Sequence, residues 1–184
     1  VEIAQKIASL MPKVGYDTQR FGWYDVVERV LGENEKYHRY AWHDRKAWWQ
    51  QEQGILAYLI LQGHMPDNDD YKKYAEESAA FYNAFFLDNN DGGVYFNVLA
   101  NGVPYLVGTE RYKGSHSMSA YHSTELCFLS TIYIDLMIKK RPLDLYFKPM
   151  SNGFKDRLLR VEPDILPKGS LYICKCEIDG KEYS

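Results

Sequence analysis

At 184 residues the chain can build one good hydrophobic core, or one core with a small appendage. Its formal net charge of -3 leaves no electrostatic footprint for nucleic acid or an anionic membrane surface, and its longest apolar run, 55–61, holds Tyr58 and stops at Gln62-Gly63, too short to span a bilayer. Three cysteines are too few for a disulfide framework and point to a reducing, cytoplasmic setting, while 16 Tyr and 4 Trp suit either a ring-rich core or a cleft that stacks on sugar rings.

Ile3, Ile7, Leu10 and Met11 fall on one face of a helix that begins without a preceding cap, and Val1-Glu2-Ile3 is not a natural start. The chain is therefore expected to be a piece of a longer protein. Next comes Asp17-Thr-Gln-Arg-Phe-Gly22-Trp23-Tyr24, echoed by Asp88-Asn-Asn-Asp-Gly-Gly93-Val94-Tyr95. Each copy sets Gly five residues after Asp and opens a β-rich stretch with Gly-x-Tyr. A basic residue, Lys46 or Lys113, then precedes an apolar-rich helix. Repetition of this kind predicts modules whose neighbours bury each other's apolar faces.

The first of these helices is predicted over 48–61, with Trp48, Ile55 and Leu59 on one face and Trp49, Leu56 and Ile60 beside it; Gly63 ends it and Pro66 lies beyond. Asp67, Asn68 and Asp69 offer caps for the next helix, striped by Tyr71, Tyr74, Ser78, Phe81, Tyr82 and Phe85. The short connection makes the two antiparallel neighbours. Segments 94–99 and 103–107 predict a hairpin around Asn101-Gly102. A last long helix, about 119–140, carries Leu126, Leu129, Ile132, Tyr133, Leu136 and Met137 inward until Pro142 stops it. From Leu143 onward Pro149, Pro163 and Pro167 break up the chain. The one regular pattern there is a β-hairpin, 171–178 returning through Asp179-Gly180 into 181–184, where it stops short. The expected organisation is a helical domain over 1–142 and a truncated β-rich appendage over 143–184.

Lys46-Ala-Trp48-Trp49-Gln-Gln51-Glu52-Gln53, then 88–96, then Lys113-Gly114 and Tyr121-His122 stand in an order that resembles the N-acylglucosamine 2-epimerase superfamily, which includes cellobiose 2-epimerases and mannose-type aldose–ketose isomerases. The resemblance covers roughly 3–140. It implies a mainly α fold: the C-terminal part of an (α/α)6 toroid of antiparallel helix pairs with β-hairpin connections, followed by the β appendage. Three positions depart from the family pattern. Gln53 stands where Trp-Trp-x-Gln-x-Glu ends in Glu, Ser117 where a Trp precedes the late histidine, and Ser123-Thr124-Glu125 where a basic residue follows it.

The activity implied is epimerisation of an aldose at C2, or aldose–ketose isomerisation, through an enediol-type intermediate. Either needs a side chain that takes and returns a proton near neutral pH, for which imidazole is suited. The resemblance makes His122 the first candidate and His116 the second; the plainer readings are a buried histidine bonded to backbone and a loop histidine near a cap. Trp48 and Trp49 are candidates for stacking on a sugar ring, one of them being core, since adjacent helix positions point about 100° apart. Glu52 shares the Trp48 face and is a candidate to hold a hydroxyl, its alternative being a surface pair with Lys46 or Arg45. Gln51 is a hydroxyl ligand or a surface residue.

No metal or nucleotide cofactor is required. His38, His43 and His64 lack zinc-site spacing, 88–92 lacks the calcium-loop register, and Cys174 and Cys176 read as small filler. The expected partner is a small carbohydrate, with neither nucleic acid nor membrane, and exposed apolar surface at a cut boundary would favour a homodimer. A glycoside hydrolase on a similar toroid, or a non-catalytic sugar-binding or scaffold domain, are the alternatives. With half a toroid and one proton carrier missing, the chain alone is expected to be inactive.

Overall fold

The computed structural model describes residues 2–113, 115, 117–148, 155–156, 158, 161, 166, 169 and 171–183. The chain divides into two compact units, Val1–Leu143 and Asp144–Ser184. The first is mainly helical: α1 (Glu2–Val14), β1 (Arg45–Ala47), α2 (Trp48–His64), α3 (Asp69–Phe81), β2 (Asn97–Leu99) and α4 (Tyr121–Tyr133). Both α3 and α4 run on into five-residue π-helical stretches, Tyr82–Phe86 and Ile134–Ile138.

α2 is the central element, packed against α3 on one side and α4 on another. It therefore buries more than one stripe: Trp48, Ile55, Leu56, Tyr58, Leu59 and Leu61 are all inside. Asn68 caps α3, its side chain accepting the Asp70 N–H. Gly63, expected to end α2, instead lies within it, where a Cβ would come 2.8 Å from Cβ of Met137. The glycine serves the approach of the helix that follows α4, and α2 ends one residue later.

Gly54 has a similar role. A Cβ there would sit 2.4 Å from Nε1 of Trp23, whose indole is buried and donates to Ser78 Oγ at 2.9 Å. Gly54→Ala is therefore expected to destabilise the chain by about 1–3 kcal/mol, although alanine is the better helix former by about 1 kcal/mol. A urea melt of the two proteins checks this; a higher midpoint for the variant would contradict it.

The repeated loops are bonded alike. The Asp17 N–H donates to Gly22 O at 3.0 Å, and that of Asp88 to Gly93 O at 3.0 Å. Oδ1 of Asp17 accepts the Gln19 and Arg20 N–H groups, and Oδ1 of Asp88 those of Asn90 and Asp91. In each copy Oδ2 takes a lysine at 2.8 Å, Lys46 or Lys113. Each lysine also donates to the carbonyl four residues after its aspartate, Phe21 at 2.5 Å or Gly92 at 2.8 Å. Bridges Tyr16–Trp23 and Leu87–Val94 close the loops.

β1 and β2, one from each module, pair antiparallel with Lys46 opposite Val98. The hairpin expected around Asn101-Gly102 is present beside this pair, but shorter than 94–99 with 103–107. The chain turns at Asn101-Gly102 and returns with two ladder bonds, the Leu99 N–H to Val103 O at 2.8 Å and the Tyr105 N–H to Asn97 O at 2.9 Å, around the single bridge Val98 to Pro104. The α1 stripe is helical as expected; Ile3, Ile7, Leu10 and Met11 are exposed and Ala8 is the buried residue. In the second unit β3 (Cys176–Ile178) pairs with β4 (Lys181–Tyr183) through Asp179-Gly180, both at positive φ. The strand expected over 171–178 shortens to three residues, Cys176–Ile178. Pro149, Pro163 and Pro167 lie outside the described residues.

Candidate functional site

The first turns of α2 and α4 bring together the aromatic and imidazole side chains singled out by sequence. β1 delivers Trp48, whose N–H donates to Phe96 O at 2.9 Å, and whose ring packs on Phe96 at 4.4 Å. Trp48 is thereby buried, while Trp49, turned away from the core, is 39% exposed. The His122 ring lies 6.2 Å from each of them, edge-on to Trp48 and tilted by 32° to Trp49, with Tyr121 5.1 Å away.

Two polar groups meet that imidazole. Gln53 Nε2 is 3.3 Å from His122 Nδ1 and donates to Glu125 Oε2 at 2.8 Å. Glu125 Oε2 itself is 3.9 Å from Nδ1. An amide nitrogen carries two protons, so Gln53 can serve both; when it donates to Nδ1, the neutral ring keeps its own proton on Nε2. His122 and Glu125 are both part-exposed, so a solute can reach them.

Neither Gln53 nor Glu125 was a sequence candidate. The spacing carried the signal: Gln53 follows Trp49 by four residues and Glu125 follows His122 by three, so each shares its partner's helix face. The two helix starts are also built alike, with Trp48-Trp49 four residues ahead of Glu52 as Tyr121-His122 stands before Glu125.

Glu52 is fully buried, which removes the expected surface pair with Lys46 or Arg45. Those cations are taken elsewhere, Lys46 by Asp17 and Arg45 by Asp25 at 2.7 Å. Glu52 Oε1 instead accepts from Tyr82 Oη at 2.5 Å and Ser123 Oγ at 2.6 Å. Burial raises its carboxyl above the ordinary range, against the pull of those two hydrogen bonds and of nearby His122. Its Oε2 and the Trp48 Nε1 are buried with no hydrogen-bond partner among the described residues.

Gln51 is neither a ligand nor a surface residue in this structure. It is fully buried, Oε1 accepting the Trp23 N–H at 2.7 Å and Nε2 donating to Trp23 O and Ala47 O. Its amide is spent on holding the first repeat loop against α2. His116 lies outside the described residues. Among the described residues no group of three or more His, Cys, Asp or Glu is arranged to hold a metal ion, and no helix is long and apolar enough to cross a membrane.

No protein-family model matches the sequence, and no characterised protein matches it by sequence comparison. Among solved structures the chain is similar to a sugar epimerase from a ruminal bacterium (TM-score 0.52, 15% identity, covering 71% of this chain and 30% of that one). It is also similar to cellobiose 2-epimerase from Bacillus thermoamylovorans B4167 (TM-score 0.50, 18% identity, covering 71% and 29%). The chain thus spans less than a third of the length of either. At these identities the likeness is one of fold: the helical body is part of an α/α toroid of the kind that sugar epimerases use.

Proposed function

We propose that this chain is part of a sugar epimerase or aldose–ketose isomerase in which His122 carries a proton at C2 of an aldose. The observation behind the reading is the imidazole set 6.2 Å from both Trp48 and Trp49, with Gln53 on its Nδ1. Trp49 supplies an accessible ring face for the C–H surface of a pyranose, and Glu125 and Gln53 supply partners for its hydroxyls. Taking the C2 proton leaves an enediolate with charge on the C1 oxygen. Returning it to the opposite face of C2 gives the epimer, and delivering it to C1, with the O2–H proton passed to O1, gives the ketose. A single imidazole suffices for the second outcome; the first needs a carrier on each face, for which His116 is the candidate within this chain. Neither route consumes a redox equivalent.

The similar structures are named as sugar and cellobiose epimerases, so cellobiose is the first sugar to offer. Full-length protein containing this chain, incubated with cellobiose and followed by carbon NMR, is expected to accumulate the C2 epimer or the ketose. Appearance of free glucose in place of either would mark a hydrolase, and binding without any product a sugar-binding domain; both results would overturn the reading.

A further inference from the structure

We propose that Glu52 is a positioning residue for His122, holding the first turn of α4 against α2 by a shared carboxylate oxygen. This rests on the reading of His122 as the proton carrier. Glu52 Oε1 accepts two hydroxyl donors at once, Tyr82 Oη at 2.5 Å and Ser123 Oγ at 2.6 Å, lengths typical of hydrogen bonds to an ionised acceptor. The three groups come from three places: the second turn of α2, the first residue of the π-helical stretch after α3, and the residue directly following His122.

That last adjacency makes the link mechanical. Ser123 cannot leave Glu52 by rotation of α4 without sweeping His122 around the same axis, because successive residues are fixed about 100° apart. Among the described residues, the other polar hold on this turn from α2 is Gln53, which donates to Glu125 Oε2 at 2.8 Å. Ala120 caps the turn without a side-chain hydrogen bond, Tyr121 is 64% exposed, and the one direct bond to the imidazole itself, from Gln53, is 3.3 Å long. A carboxylate with no solvent exposure is also a costly way to fill a core, where an apolar side chain of similar volume would serve stability as well or better. Its place at a three-way junction beside the site is accounted for by geometry that an apolar residue could not impose. The same burial excludes Glu52 from touching a sugar hydroxyl.

The test uses full-length protein carrying Glu52→Gln, Ser123→Ala or Ser123→Thr, with the His122 ring signals identified by their loss in His122→Ala. Glu52→Gln and Ser123→Ala are expected to move the His122 ring signals while leaving those of His38 and His43 in place. Both should lower kcat by roughly ten- to a hundredfold with KM little changed, the size of effect that small misplacement produces. Ser123→Thr keeps the hydroxyl and should restore signals and kcat. Unmoved His122 signals in Ser123→Ala overturn the proposal, and so does loss that Ser123→Thr fails to rescue. If Glu52→Gln does not fold, the two Ser123 variants decide alone. Moved signals in a protein whose wild type turns over no sugar would leave the positioning role standing and sink the sugar reading. An active wild type with His122 unmoved would sink only the positioning role.

Discussion

Asp17→Asn is expected to lower the stability of this chain by about 3–5 kcal/mol, the usual loss when a buried ion pair is broken on one side. The side chains of Lys46 and Asp17 are 0% and 6% exposed, so the ammonium left behind has no water to turn to. Its surroundings are Phe21 O and the face of Phe81, 3.9 Å away. Burial already pulls the Lys46 ammonium down to about 8, with Asp17 opposing that pull. Burial likewise raises the Asp17 carboxyl, but Lys46 and the Gln19 and Arg20 N–H groups outweigh it and hold it below the ordinary carboxylate range.

The pH dependence follows from the two directions. Asp17, lowered in the folded state, contributes stability that is present above the ordinary carboxylate pKa and is lost as pH falls through the folded value. Lys46 works the other way: below about 8 its buried charge is a standing cost. Between about 8 and its ordinary 10.5 the unfolded chain holds the extra proton, so this contribution to stability rises with pH. Urea midpoints of wild type and Asp17→Asn, at unchanged m, measure the loss. Asp88→Asn is the internal control, since it breaks the same motif where its lysine is 31% exposed; its effect should be much smaller. Equal losses in the two variants would show that burial is not what makes the first pair matter.

The repeat was legible because both copies spend the same atoms the same way: aspartate on two N–H groups and a lysine, with glycine at the fifth position. One position was not. Gly92 takes φ +76° where the first copy has Phe21 at +69°, a left-handed backbone that costs a non-glycine residue about 1–2 kcal/mol. Phe21 is kept there by packing against both buried clusters, information held in distant residues. The helices α2, α3 and α4 were readable from their apolar periods and from Asn68. Their π-helical ends were not, since Tyr82–Phe86 and Ile134–Ile138 continue the same composition.

The site was half legible. Neighbourhood in sequence put Trp48 and Trp49 together, and the helical period predicted that one of them would be core; Trp48 is the buried one. Glu52 and Gln51 were misjudged because their partners, Tyr82, Ser123 and the Trp23 backbone, lie on other elements. A polar residue on a helix reads as surface until something buried is known to meet it.

His122→Ala in the full-length protein is expected to reduce kcat by about 10²- to 10⁴-fold, the range for removing a positioned acid–base group. On the proposed reading KM should change far less, because Trp49, Gln53 and Glu125 are left in place. Steady-state kinetics on cellobiose separate the two. A loss under tenfold would mean that the proton travels by another group and that His122 is only a neighbour of the reacting carbon.

The most direct test watches the proton itself. Wild-type full-length protein in deuterium oxide should place solvent deuterium at C2 of the recovered aldose or its epimer, or at C1 of the ketose formed, and His122→Ala should do so no faster than buffer. Deuterium entering the sugar at the wild-type rate in the variant would contradict the account.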